Sequence, residues 1–146
     1  MKTLKLIVVM AVALITLGSC ASQENVSYVE GRHFFYNNNV PTGKAVKLTS
    51  KPEFEKYIGY APVMGKNGEP THIDFNSQMA IAMALPVTDT MTVIKPVSLK
   101  KSGDNELTLG YSVVKKGGKM SYSRLPSFVI IVDKKYQNCT IKQEEK

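Results

Sequence analysis

The sequence has few of the residues on which most enzyme active sites and metal centres depend. Its 146 residues include no tryptophan, two histidines and two cysteines. Neither His33 nor His72 belongs to a His-Glu-x-x-His pattern, and the cysteines and histidines are not spaced as zinc ligands. The sequence also lacks a Gly-x-Ser-x-Gly elbow and a glycine-rich phosphate loop. We therefore expect a protein that is not an enzyme and that needs neither a metal nor another cofactor.

Long apolar runs are scarce as well. The longest lies near the amino terminus, over residues 6–17, and it is shorter than the roughly 20 apolar residues of a membrane-spanning helix. Lys2 and Lys5 precede this run, and small residues follow it. A positive start, a short apolar stretch and small residues are together typical of a bacterial secretory signal.

The apolar run ends in Leu-Gly-Ser-Cys at positions 17–20, which resembles the lipobox of bacterial lipoproteins. The resemblance implies cleavage before Cys20 and acylation of that cysteine, with two or three chains that make release from the bilayer negligible. We predict a signal peptide over residues 1–19 and a lipidated flexible tether over residues 20–26. The expected location is the bacterial cell envelope, at the outer membrane, on its periplasmic or its surface face. The alternative is an ordinary secretory signal that ends at a cysteine by chance.

Acidic residues are the minority among the charged ones. There are 12 Asp and Glu against 19 Lys and Arg, which gives a formal net charge of +7. A basic balance is compatible with nucleic acid or with anionic surfaces. The lysines are scattered, however, and their densest cluster, over residues 115–119, encloses two glycines as a turn does. We expect no nucleic-acid partner and interpret the lysines as a solvated surface.

The chain after Cys20 is long enough for one domain and too short for two. A domain of this size buries roughly two thirds of its unfolded surface and folds without a metal or a disulfide. We therefore predict a single β-rich domain over residues 27–146. With Cys20 assigned to lipid, Cys139 has no partner within the chain, and it is either a buried, inert thiol or a reactive, intermolecular one.

One segment has the pattern of an α-helix. Ser50 suits the N-cap, Pro52 suits the first turn, and Glu53 can complete a capping box. Apolar residues follow at the spacing of one helix face, and Gly59 is expected to end the helix. The prediction is one short helix over about residues 51–58.

Most of the remaining chain has the pattern of β-strands. A run over residues 79–85 is apolar enough for a central strand buried on both faces. Hairpin turns are predicted at residues 101–105 and 117–118. The other predicted strands cover residues 26–36, 45–49, 72–75, 90–99, 106–114, 120–125, 127–133 and 136–142. Strands at this spacing predict a mainly β fold, an antiparallel β-sandwich or a small barrel with the one short helix.

Three short segments have a partial likeness to functional motifs. His72 and Asp74 share one face of a predicted strand, where the aspartate could orient an imidazole for base catalysis. We favour a surface hydrogen bond, or a bond from Asp74 to the backbone at the start of a strand. Residues 104–106 resemble a fragment of a calcium loop, but the tip of a hairpin explains them. Asp89-Thr90-Met91 resembles sites that Bacteroidetes glycosylate on exported proteins, and whether Thr90 is modified stays open.

Four segments resemble a group of small Bacteroidales lipoproteins that is largely uncharacterised. These segments cover residues 54–61, 64–75, 107–111 and 130–134. More remotely, the predicted helix, the Ile-Asp-Phe segment and the apolar strand after it resemble the PrcB-type domain of protease-complex subunits. That resemblance implies a small β-rich fold that binds and stabilises a secreted protease. The Thr-Gly-Gly segment usual in that family is replaced here, over residues 86–89.

A predicted loop with apolar residues carries the main hypothesis of function. Residues 59–71 contain three glycines and two prolines, and Tyr60, Pro62, Val63 and Met64 are costly to expose there without a partner. We therefore expect a membrane-anchored, non-catalytic binding lipoprotein, a modulator or inhibitor of an exported protease, with these four residues at the partner surface. The competing interpretation of the four residues is that they cover one end of the β fold.

A second hypothesis is a carrier of a small apolar or glycan ligand in the mouth of a barrel. Its support is the methionine content of one region, with Met79, Met83 and Met91. Methionines fill irregular cores more often than they line pockets. A structural component of an outer-envelope assembly is a third possibility, and the sequence does not separate it from the first.

Overall fold

The computed structural model describes residues 22–146, which form β-strands for the most part. One α-helix and one short 3-10 helix interrupt the strands. In chain order the elements are β1 (Glu24–Asn25), β2 (Val29–Glu30), β3 (Phe34–Tyr36), β4 (Ala45–Leu48), α1 (Lys51–Tyr57), β5 (Ile58–Tyr60), β6 (Gln78–Ala84), β7 (Thr88–Ser102), β8 (Glu106–Arg124), β9 (Ser127–Asp133), the 3-10 helix (Lys134–Tyr136) and β10 (Thr140–Glu145).

The strands form two separate four-stranded sheets and a small ribbon. Sheet A has the order β1-β7-β8-β10, and sheet B has the order β2-β9-β6-β4. The ribbon consists of β3 and β5, which pair in antiparallel fashion. A mainly β fold with one short helix is therefore confirmed, and of the two predicted architectures the sandwich is the one found.

The main core lies between sheets A and B. On β8, Leu107, Leu109 and Tyr111 alternate with residues that face the other way, so that one side of the strand enters the core. Sheet B contributes Ile130 and Val132 from β9 in the same manner. Burial of such side chains supplies roughly 1.5–3 kcal/mol each relative to exposure, which is the main force that holds the sheets together.

Strand β6 is buried on both faces, as its continuous apolar sequence predicts. Met79, Ile81 and Met83 enter the core between the sheets, whereas Ala80 and Ala82 face a second cluster on the outer side of sheet B. That outer cluster is covered by α1 and by the ribbon. The molecule therefore has three layers, in the order sheet A, sheet B, and the layer of α1 and the ribbon.

The helix begins where the sequence predicts it, with one difference in its cap. The Ser50 hydroxyl accepts a hydrogen bond from the Glu53 N–H at 3.4 Å. The Glu53 carboxylate reaches one residue further back than expected and accepts from the Thr49 N–H at 2.8 Å. Hydrogen bonds from Thr49 hold the pKa of the Glu53 carboxyl below its usual value. The capping box is thus present, although it extends to Thr49.

The prediction that Gly59 ends the helix is wrong. The helix ends at Tyr57, and Ile58 already has an extended backbone as the first residue of β5. Gly59 lies within β5, where it pairs with Phe35. A Cβ at Gly59 would collide with the ring of Phe35. The glycine is required for this close approach in the ribbon, not for a helix stop.

Four predicted strand features also differ from the structure. The strand predicted over residues 26–36 is broken between β2 and β3, where His33 has a φ of +61°. Residues 72–75 form no strand.

Gly117 and Gly118 have positive φ, but they lie inside the continuous strand β8, in a stretch where its register with β7 is irregular. Strand β10 runs parallel to β8, because the chain crosses from sheet B to sheet A at the end where β8 also begins.

The amino-terminal side of the described chain is tied to the sandwich early. Strand β1 lies inside the segment 20–26 that the sequence analysis predicts as a tether, and it pairs with β7 through Glu24 and Asn25. Val26 is then buried in the core. Residues 22–146 therefore contain their own hydrophobic core, which is what an independently folding domain requires.

The signal peptide over residues 1–19 and the acylation site at Cys20 lie outside the described residues. Among residues 22–146, no helix has both the length and the apolar composition needed to cross a bilayer.

Candidate partner-binding loop

Tyr60 stands at the base of the loop that the sequence analysis singles out. It is the last residue of β5, and its ring lies 6.1 Å from the ring of Phe54 and 6.0 Å from that of Phe34. Its hydroxyl donates to a carboxylate oxygen of Glu55 at 3.2 Å. Desolvation, and then the bond to Glu55, raise the pKa of Tyr60. The side chain is nevertheless 43% exposed, so one face is packed and the other is accessible to a partner.

The apolar residues after Tyr60 project into solvent. We call residues 61–71 the exposed loop. Met64 is fully exposed at its tip, Val63 is 55% exposed, and Pro62 is also exposed. These three residues do not cover an end of the β fold, so that interpretation of the sequence is excluded for them. Tyr60 alone combines packing with exposure.

The tip of the exposed loop is closed by backbone hydrogen bonds. The Val63 N–H donates to the Gly68 carbonyl at 2.8 Å, and the Gly68 N–H donates to the Gly65 carbonyl at 3.3 Å. Gly65 and Asn67 have φ values of +106° and +63°, which turn the chain back on itself. A Cβ at Gly68 would collide with the Val63 carbonyl oxygen. Glycine at position 68 is therefore a condition for this tip.

The stems of the loop are held by the segment between β2 and β3. The Ala61 N–H donates to the His33 carbonyl at 2.8 Å, and the Thr71 N–H donates to the Arg32 carbonyl at 3.1 Å. The Arg32 N–H donates in return to the Thr71 hydroxyl at 2.9 Å. Both ends are thus fastened, and the loop can present Val63 and Met64 without a large entropic cost on binding.

A side-chain contact adds a further support inside the loop. The His33 ring nitrogen Nε2 lies 3.0 Å from the carbonyl oxygen of Asn67. The contact is a hydrogen bond when this nitrogen carries the proton. His33 thus supports the loop from below, in the left-handed conformation that breaks the strand predicted over residues 26–36.

An open groove of about 530 Å³ lies beside the loop. Its walls come from the start of α1, from β5 and from the chain that leads into β6. The lining side chains include Lys51, Tyr60, Glu69, His72, Ile73 and Phe75. Tyr60 belongs both to this groove and to the base of the exposed loop, so the two form one continuous surface on the outer layer.

Asp74 has hydrogen-bond partners other than His72. The Asp74 carboxylate accepts from the Asn76 N–H at 3.1 Å and from the Ser77 hydroxyl at 2.9 Å, in a turn just ahead of β6. The hydrogen bonds from Ser77 and Asn76 lower the pKa of Asp74 more than the charge of His72 does. The strand predicted at residues 72–75 is wrong, but the expectation that Asp74 bonds to the backbone is confirmed.

The other residues for which the sequence suggests a chemical role lie in the core, at a hairpin tip or within a strand. Cys139 is a free, buried thiol in the core, as the first of its two interpretations predicts. Residues 104–106 lie at the tip and the return of the β7–β8 hairpin. Thr90 lies within β7, half-buried and opposite Lys119. Among residues 22–146, no three His, Cys, Asp or Glu side chains lie together as metal ligands.

The methionines that suggest a ligand carrier have core positions for the most part. Met79 and Met83 are completely buried between the two sheets, and Met91 is half-buried in β7. The first two fill the core. The hypothesis of a small-ligand carrier thereby loses the side chains that support it in the sequence.

The residues that hold the loop in place cannot be recognised from the local sequence. Arg32, His33 and Thr71 act through backbone groups and through contacts between residues that are 28 to 39 positions apart in the chain. Such contacts leave no local pattern. The only local signal is the pair of glycines at positions 65 and 68, which marks a turn without indicating what it packs against.

Comparison of the chain with models of protein families, with curated proteins and with solved structures finds no match.

Proposed function

We propose that this chain is a membrane-anchored, non-catalytic binding lipoprotein that captures an exported protein through Tyr60, Pro62, Val63 and Met64. The observation that carries the proposal is the tip of the exposed loop. Met64 lies there fully in solvent, on a loop that is closed by two backbone hydrogen bonds and fastened at both stems. Met64 is exposed together with Tyr60, Pro62 and Val63, and adjoining apolar side chains held in water are typical of an interaction surface.

A protein partner suits this surface better than a small ligand. The groove beside the loop is open along its length, whereas sites for small ligands bury most of the ligand surface. A protruding tip beside a shallow groove instead suits a partner that is itself concave. The aromatic Tyr60 and the adaptable Met64 are residue types that carry binding energy at protein interfaces.

A protease is the partner class we propose, in the role of a target that is modulated or inhibited. A rigid loop that enters a cleft is a common way to block or to shape a protease active site, and extended backbone supplies part of the affinity. The segment 62–64 is exposed and leads into the closed turn. The remote resemblance to PrcB-type domains supports the same partner class. Attachment through acylated Cys20 would confine the captured protein to the envelope.

The proposal is tested with residues 21–146 as a soluble bait on the envelope and secreted fractions of the host, with mass-spectrometric identification of the retained proteins. We expect recovery of a protease whose activity changes when the bait is added. Recovery of other envelope proteins alone would favour an assembly component. Recovery of no protein would contradict the proposal, and native mass spectrometry for a co-purifying small ligand would then be the next step.

A further inference from the structure

The outer face of sheet A collects lysines that are far apart in the sequence. The alternation that buries Leu107, Leu109 and Tyr111 turns the residues between them outward. The strand register places Lys100 and Lys142 on either side of Thr108, and it places Lys95 beside Ser112. We call this surface the lysine face. Its charged members are Lys95, Lys100, Glu106, Lys142, Glu144 and Lys146.

Three of these lysines converge on one carboxylate. The Lys146 ammonium donates to a Glu144 oxygen at 2.9 Å, and the Lys142 ammonium lies 4.0 Å from the other oxygen. The hydrogen bond from Lys146, and then the charges of Lys146, Lys142 and Lys100, lower the pKa of Glu144. With Glu106, two negative groups stand among four positive ones on this face, which retains an excess of positive charge.

The lysine face is flat rather than pocket-like. Its centre is made of small residues, and the paired strands place Ser98 directly beside Gly110. A Cβ at Gly110 would collide with the Ser98 hydroxyl and would lie 3.3 Å from Cε of Lys146. The Lys146 stem therefore lies across this floor. A flat floor with lysines around it suits an extended anionic surface better than a single small anion.

The chain enters sheet A next to this face. Asn25 of β1 pairs with Lys100 of β7, on the edge of the sheet. Asn25 follows Cys20 by five positions, and an extended chain spans at most about 3.6 Å per residue, so the two are at most about 18 Å apart. An acyl anchor at Cys20 would therefore hold the Lys100 end of sheet A close to the bilayer surface.

The charges at this end of the sandwich favour one orientation of the molecule on the bilayer. Asp104 and Glu106 lie at the tip and the return of the β7–β8 hairpin, and Glu24 pairs with Lys101 nearby. Lys101 and Lys135 lie beside these carboxylates, so the tip carries no net positive charge. Anionic headgroups would instead attract the lysine face, at about 1 kcal/mol for each lysine near the surface.

This orientation also leaves the candidate binding surface free. The lysine face and the layer of α1 and the ribbon lie on opposite sides of the sandwich. Packed layers are about 10 Å apart, so the Tyr60 side would lie roughly two layers above the headgroups. A partner could reach it without displacing the membrane contact.

We propose that the lysine face is a membrane-docking surface that lies against anionic phospholipid headgroups beside the lipid anchor. The inference goes beyond the proposed function, because it assigns a second surface and requires no protein partner. The predicted anchor at Cys20 is what favours phospholipid over an acidic protein as the occupant. Docking would turn a flexible attachment into a fixed orientation of the molecule.

The test measures vesicle binding by residues 22–146, so that the acyl anchor does not mask the electrostatic contribution. Vesicles of equimolar phosphatidylglycerol and phosphatidylcholine are compared with vesicles of phosphatidylcholine alone by sedimentation. The face variant is Lys100→Gln/Lys142→Gln/Lys146→Gln. The matched control is Lys51→Gln/Lys56→Gln/Lys66→Gln, which has the same net charge but alters exposed lysines on the opposite layer. Circular dichroism verifies that both variants are folded.

We expect the unmodified segment to bind the anionic vesicles only, with binding that weakens as salt is added. The face variant should lose on the order of 100-fold in partition coefficient, at about fivefold per lysine. The partition coefficient of the control variant should change by about twofold at most. No preference for anionic vesicles would overturn the proposal. An equal loss of partition coefficient in both variants would also overturn it, because net charge alone would then explain the binding. A larger loss in the control variant would overturn it as well.

Discussion

Phe54→Ala is expected to lower the free energy of unfolding by about 3–5 kcal/mol, the usual cost of removing a buried phenylalanine side chain. Phe54 is completely buried. Its ring lies 5.3 Å from the ring of Phe34 and 5.7 Å from that of Phe75, so that helix, ribbon and the chain before β6 all meet on it. A cavity at this point weakens the attachment of the whole outer layer to sheet B. The loss is a large part of the stability of an ordinary domain.

The measurement is urea unfolding of residues 22–146, and Phe35→Ala is the matched control. Phe35 belongs to the neighbouring ribbon strand β3, but its side chain is 52% exposed. Its removal should cost about 1 kcal/mol, because half of its surface is already in water. Equal losses for the two variants would mean that the outer layer does not pack as described.

Gly68→Ala should reduce partner capture on the order of tenfold or more while the core stays intact. The new methyl group meets the Val63 carbonyl oxygen, a backbone atom that cannot rotate away. The tip must therefore open, and the hydrogen bond between Val63 and Gly68 is lost. Val63 and Met64 then leave the arrangement in which a partner would meet them.

The control for this variant is Gly103→Ala, at the turn of the β7–β8 hairpin. Gly103 also lies in a tight turn, with a φ of +64°, but a Cβ there meets open space. Gly103→Ala should lower the free energy of unfolding by about 1 kcal/mol through backbone strain and leave partner capture unchanged. The affinity of each variant for the captured partner decides the matter. Unchanged affinity of Gly68→Ala would show that the closed tip is not the binding conformation.

Local sequence patterns predict the parts of this fold that depend on local forces. The capping residues around Ser50 and the apolar spacing after them predict α1 to within one residue of its end. The unbroken apolar run predicts β6 as a central strand buried on both faces. The hairpin of β7 and β8 follows from its turn at Gly103 and its alternation. In each case neighbouring residues carry the signal.

Features that depend on distant pairing are not predicted. The parallel course of β10 arises from a crossover between sheets, and nothing within residues 140–145 encodes it. The lysine face depends on that pairing, because it joins β7 to β10 across β8. Lys100 and Lys142 are scattered positions in the sequence and become neighbours of Thr108 only in the folded sheet.

The candidate site falls between these two cases. Apolar residues among glycines and prolines identify the exposed loop from composition alone. Met64 is fully exposed in it, as a partner-binding loop requires. The support from Arg32, His33 and Thr71 is long-range, so the sequence predicts a loop without predicting that it is held. The groove beside it arises in the same way, from segments that meet only on the outer layer.

The most direct test of the binding proposal compares three baits side by side in one pull-down from the envelope and secreted fractions. They are unmodified residues 21–146, the loop variant Val63→Ser/Met64→Ser, and the control variant Val97→Ser/Val114→Ser, which alters two exposed valines elsewhere. The proposal predicts that the unmodified bait and the control retain the same protein, and that the loop variant, with an unchanged thermal melt, loses it. Retention of that protein by the loop variant at the level of the control would contradict the account.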